Sequence, residues 1–238
     1  MTRLLTAFEN EMRSDLLLGQ ANRWEVSSPQ DELEKFRFFV RQTETLINQA
    51  EESEVSSLQE SIADWCKEAQ DEFWPYHYPV HWDEIFRSTI RRSVIVSLTT
   101  FLETFLNRLC SHVALVTKSD LKASDLRGST LERARKYLNA VGKLERPDSR
   151  EWDELGLFFK IRNVIVHADG FAVGSNYQKA IEHFCEKRND IRLEYGSIEI
   201  EPAFLEFFIE RLKEFIEQLE GEFRALCDET RRLEQVGE

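Results

Sequence analysis

Between Pro202 and Glu234, the residues Phe204, Phe208, Leu212, Phe215, Leu219, Phe223 and Leu226 recur at steps of three and four. That spacing puts all seven on one face of a helix about nine turns long. An apolar stripe of such length has to be covered by other elements, and the rest of the chain reads as further helices. Residues 2–19 form a first amphipathic pattern. "SSPQDELEKF" starts a second helix, with Ser28 as N-cap, Pro29 in the first turn and acids behind it. Along it Phe36, Phe39, Val40, Thr43, Leu46, Ile47 and Ala50 make a stripe. A softer stretch near 51–57 separates it from a further helix ending at "DEFW". The prolines of "PYHYPVHW" predict a loop.

From Trp82 to about Val116 the pattern is apolar almost all round, which predicts the central helix. "RGSTLERARKYL" begins a shorter basic helix capped by Ser129 or Thr130. The segment "REWDELGLFFKIRNVIVHADG" reads as a helix stopped by Gly170, and residues 176–188 as a short one. "IRLEYGSIEIE" alternates on both sides of a glycine and predicts a β-hairpin near 191–200. The expected class is all-α, a helical bundle with one small hairpin. It divides into an acidic N-terminal helical extension, 1–84, and a helical domain, 85–238.

Charge sharpens the division. The net charge is −13, yet residues 1–84 carry −11 and residues 85–150 carry +7. A local positive field on an acidic chain can still engage phosphates. A basic helix surface with no ligand explains the charge equally well. The four cysteines, Cys66, Cys110, Cys185 and Cys227, are far apart and form no CxxC pair, as expected of reduced thiols in a cytoplasmic protein. "MTRLLTAFENEMRSDLLLG" lacks the continuous apolar core of a signal peptide, and no apolar run reaches membrane-spanning length.

Within "FFKIRNVIVHADG", residues 158–170, an apolar helix carries Arg162, Asn163 and His167. Asn163 and His167 are i and i+4 and share a face. Arg162 lies five residues before His167, about 140° around the axis, and reaches a common site by its length, most directly when two copies of the helix face each other. "RNVIVH" matches the R-x(4–6)-H signature of HEPN domains, with a polar residue after the Arg. The central helix contains "SLTTFLETFLNRLC", in which Glu103 interrupts an apolar run and Asn107 follows one turn later. It resembles the first core helix of many HEPN proteins. The order agrees as well: Glu-bearing helix, basic segment, then the Arg…His helix ending in Gly170. The resemblance spans roughly residues 85–230.

The resemblance implies a helical domain that dimerises with its Arg…His helices near the two-fold axis, and, in active members, metal-independent RNA cleavage in a cleft lined by both subunits. It needs no cofactor. RNA carries its own nucleophile, the 2′-hydroxyl, so a proton acceptor, a proton donor and a cation suffice. Imidazole is the side chain whose ordinary range lies near neutrality, so His167 is the residue type for acid–base work. Arg162 stays charged and grips two phosphate oxygens at once. Asn163 would orient the imidazole or a substrate oxygen, and Glu103 would hold Arg162 or His167 in place. Arg87, Arg91 and Arg92 share one end of the central helix and are expected to contact the RNA backbone; the alternative is a solvated basic turn. The expected setting is a bacterial toxin–antitoxin or phage-defence system, with an antitoxin or defence protein as partner.

Other readings stay beside this one. Arg162 and Glu103 also fit a buried structural ion pair, and His167 a helix C-terminal cap. The chain would then be a non-catalytic dimerisation or interaction protein that docks partners on its acidic N-terminal helices. His77 and His81 near Cys66, Asp83 and Glu84 are metal-ligand types, but Pro79 breaks their helical spacing and "WPYHYPVHW" reads as an aromatic packing loop. His112 and His183 stand alone in the sequence and read as surface or packing residues. No Walker motif, G-x-G-x-x-G or G-x-S-x-G is present.

Overall fold

The computed structural model describes residues 28–236; the pattern at 2–19 lies outside the described residues. The elements run α1 Pro29–Ser61, α2 Lys67–His77, a π-helical turn Trp82–Arg87, α3 Ser88–Thr117, a 3₁₀ turn Ala123–Asp125, α4 Thr130–Ala140, α5 Ser149–Ala168, α6 Gln178–Cys185, β1 Ile191–Glu194, β2 Ser197–Ile200 and α7 Pro202–Val236. The class is all-α with one two-stranded hairpin among the described residues, as the periodicity predicts. No helix of the described residues is long and apolar enough to cross a membrane.

Local chemistry explains the helix starts. Ser28, Ser129 and Asp148 each close a capping box, with Asp31, Glu132 and Glu151 at the third helical position. Each box satisfies amide groups that the first turn leaves without partners, contributing about 1 kcal/mol. At the far end of α5, Asp169 and Gly170 are both left-handed, with φ 47° and 81°. The hairpin turns through Tyr195 and Gly196, φ 49° and 88°, which pairs Glu194 with Ser197 and Ile191 with Ile200. Left-handed backbone at both turn residues matches the twist of the strands.

Packing centres on α3, which lies against α4, α5 and α7. It buries Val94, Ile95, Leu98, Leu102, Phe105, Leu106, Leu109 and Val113. The stripe of α7 is wider than the opening seven residues: Leu205, Ile209 and Ile216 are buried with Phe204, Phe208, Leu212, Phe215 and Leu219. Phe158 of α5 leans on Phe208 with ring centroids 4.0 Å apart, and Trp152 meets Phe215 edge-on at 4.8 Å. Each fully buried Phe or Leu contributes about 1.5–3 kcal/mol. These rings fix α5, which carries the Arg…His motif, between α3 and α7.

Three local expectations change. First, α1 does not break at 51–57 but continues to Ser61. Second, its buried seam is Leu33, Val40 and Ile47, seven residues apart, while Phe39 and Leu46 are exposed. One narrow strip faces α7 and α3, and the flanking apolar residues point away from it. Third, Pro75 stands inside α2, which runs on to His77, and the expected loop is followed at once by the π-helical turn. Leu33 and Val40 belong to the same apolar cluster as α3 and α7. The first half of α1 is thus part of the bundle, on the N-terminal side of the boundary drawn at residue 84.

Candidate functional site

Glu103 sits on α3 and Arg162, Asn163 and His167 on α5, two helices that pack side by side. Arg162 Nη1 donates to Asn163 Oδ1 at 3.1 Å, and Arg162 Nη2 lies 3.9 Å from Glu103 Oε2. Both charged side chains are about one-quarter exposed, at 24% and 27%. At 3.9 Å the contact is the long limit of an ion pair, not a bidentate clamp. Arg162 Nε is buried and has no hydrogen-bond partner among the described residues. The guanidinium is therefore loosely held, with one edge facing a carboxylate and hydrogen-bonding capacity left over. Such a group can re-aim at an incoming anion with little to break.

His167 is exposed near the C-terminus of α5, about 7.5 Å along the axis from Arg162. Structure thus gathers Arg162, Asn163 and Glu103 into one cluster and sets His167 outside it on the same helix. Asn163 is bound by Arg162, not by the imidazole. Close to His167 in sequence, Val166, Phe171 and Val173 are each about half exposed, and the Asp169 carboxylate is fully exposed.

Arg92, which the motif does not include, fixes the end of α5. Its Nη1 donates to the Asp169 carbonyl at 3.0 Å and its Nη2 to Ser197 Oγ at 2.8 Å. The guanidinium lies flat against Gly170, where an added Cβ would stand 2.9 Å from Arg92 Cζ. Gly170 supplies the left-handed φ, and an added Cβ would also push the Arg92 guanidinium aside. Beyond it the chain runs along the hairpin: Ile198 N donates to Gly170 O, and Phe171 bridges Ser197. The signal in the sequence was the "ADG" stop; the arginine opposite it, 77 residues away, left none.

The expected RNA-backbone arginines all have internal partners. Arg87 is 9% exposed and binds Glu51, Asp83 and Asn48. Its hydrogen bond holds the Glu51 carboxyl below the ordinary glutamate range, and Glu51 in turn raises the Tyr78 phenol. Arg91 forks onto both oxygens of Glu44 at 2.7 and 2.9 Å and donates to the Ile200 carbonyl. With Arg92 on the α5 terminus, the cationic end of α3 joins α1, α5 and the hairpin. Each of these guanidinium groups thus has a structural role, and one that left Glu51 or Glu44 would strand a largely buried carboxylate.

Among the described residues no group of three or more His, Cys, Asp or Glu is arranged to hold a metal ion. His77 stacks on Phe73 at 4.0 Å and His81 faces Glu54, so the two imidazoles serve different neighbours. Burial pushes the Cys110 thiol up to about 12 and that of Cys185 to about 11, which removes both as nucleophiles at neutral pH. Comparisons with protein-family models, with curated proteins and with solved structures each give no match.

Proposed function

We propose that the chain is a HEPN-type, metal-independent endoribonuclease, acting as a cytoplasmic homodimer in a bacterial toxin–antitoxin or phage-defence system. The observation that carries this reading is the loosely held Arg162, grouped with Asn163 and Glu103, one helix face away from an exposed His167. Two α5 helices facing across a two-fold axis supply two imidazoles and two guanidinium groups. One imidazole takes the 2′-hydroxyl proton while the O2′–P bond forms. The other returns a proton to the 5′-oxygen as the P–O5′ bond breaks. Arg162 turns from Asn163 to the phosphorane oxygens, where a fixed cation contributes on the order of 3 kcal/mol. The half-exposed Val166, Phe171 and Val173, close to His167 in sequence, give the two copies an apolar contact. Arg87, Arg91 and Arg92 have no part in RNA contact in this reading.

The test is cleavage of RNA by the purified chain in EDTA, compared with His167→Ala and Arg162→Ala; equal cleavage by both variants removes the assignment. Light scattering checks the dimer, and a monomer at micromolar concentration removes the shared cleft. A second reading, a non-catalytic interaction protein, is favoured by the bond that Arg162 already makes to Asn163. It expects association that survives His167→Ala without any RNA turnover.

A further inference from the structure

Residues 51–86 contrast with the other described residues in burying almost nothing. Only Ile62 and Pro79 of this stretch are buried, and α2 buries none of its residues. Yet it is rich in rings that stand open: Tyr76 is 85% exposed, Trp65 49% and Phe86 43%, with Ile85 at 58%. The rings support one another. Trp65 meets Phe73 edge-on at 5.7 Å, and Trp82 leans on Phe86 at 4.8 Å. Trp82 Nε1 and the Tyr78 hydroxyl are tied to Glu54 and Glu51 of α1. Exposed aromatic side chains held in place by hydrogen bonds and ring contacts are the composition of a binding surface, not of a solvated one.

Charge decides what such a surface takes. The same stretch contains ten Asp and Glu against one Lys. Arg87 pairs with both Glu51 and Asp83, but Glu60, Asp64, Glu68, Asp71, Glu72 and Glu84 have no ion-pair partner among the described residues. Nucleic acid and anionic lipid are repelled by that field. We propose that this aromatic, carboxylate-rimmed lobe is the docking surface for a basic polypeptide segment of a partner protein, one in which arginines alternate with apolar side chains. The guanidinium groups pair with the carboxylates and lie over the open faces of Trp65 and Tyr76, while the apolar residues cover Ile85 and Phe86. This inference stands apart from the ribonuclease reading: the lobe is built from α1, α2 and the π-helical turn, and shares no residue with the Arg162 cluster.

The experiment uses the full chain and a fluorescein-labelled peptide of repeated Arg-Leu-Ala triplets, with a Glu-Leu-Ala peptide as control, followed by fluorescence anisotropy at physiological salt. The arginine peptide binds and the glutamate peptide does not. The double variant Trp65→Ala/Tyr76→Ala, which leaves the net charge unchanged, weakens binding about tenfold or more. Because these two side chains are not buried, circular dichroism of that variant matches the wild type. Absence of binding, or equal binding by the double variant, overturns the proposal, since the latter means diffuse attraction to an acidic chain. Sedimentation velocity supplies the remaining arm: self-association of the wild type that Tyr76→Arg abolishes makes a second copy the occupant and overturns the partner assignment.

Discussion

Arginines at the foot of α3 and the arginine in the middle of α5 sit in comparable helices and are held in opposite ways. Arg87 and Arg91 each engage a carboxylate whose side chain is about 15% exposed, through bonds of 2.9 Å or less. Arg162 has one amide contact, one carboxylate at 3.9 Å and a buried Nε with no acceptor. The first pair join distant elements, α1 and the hairpin, to the central helix. The second holds little in place and keeps its charge available. A guanidinium that is tightly bound inside the protein serves the fold, whereas one left under-bound at a helix–helix seam is available to a ligand.

That contrast breaks if the two kinds of arginine respond alike to truncation. Arg87→Ala leaves Glu51 half-buried beside Asp83, and we expect a loss of about 3 kcal/mol in urea unfolding. Arg91→Ala strands Glu44 and frees the Ile200 carbonyl, with a similar expected cost. Gly170→Ala forces a left-handed alanine against Arg92, and about 2 kcal/mol should disappear from the same measurement. Arg162→Ala, by contrast, should change stability by less than about 1 kcal/mol, since its ion pair is long and partly solvated. A loss as large as that of Arg87→Ala would make Arg162 a structural residue.

Acid sharpens the comparison further. Arg87 depresses the Glu51 carboxyl below its ordinary value of 4.5. The stability from this pair is therefore complete above that value and is lost as the pH falls through the lower, folded-state value. Unfolding midpoints measured from neutral pH down into this window should fall more steeply for the wild type than for Arg87→Ala. Parallel curves would mean that the pair contributes nothing to acid sensitivity.

Much of the fold was legible because its signals are local. Ser28, Ser129 and Asp148 cap within three residues of themselves, the α7 stripe repeats along one helix, and Gly196 marks a two-residue turn. What could not be read is non-local or degenerate. Phe39 and Leu46 fit an amphipathic stripe as well as Val40 and Ile47 do, and only the position of α7 decides which pair is covered. Residues 51–57 are polar but contain no Pro or Gly to break a helix, so α1 continues where a break was expected. The site shows the same division. Arg162, Asn163 and His167 are visible from spacing on one helix, and Glu103 from the motif on another. Glu51, Glu44 and Asp169, which Arg87, Arg91 and Arg92 bind, lie 36, 47 and 77 residues away, and no periodicity announces them.

The central claim is that the loosely held Arg162 and the exposed His167 belong to a chemical site. Single-turnover cleavage of a labelled RNA in EDTA, by the wild type and by His167→Ala and Arg162→Ala, tests it most directly. The account predicts cleavage without metal by the wild type and a loss of at least about a hundredfold in each variant. Cleavage by both variants at the wild-type rate, or none by the wild type on any RNA tried, would contradict it.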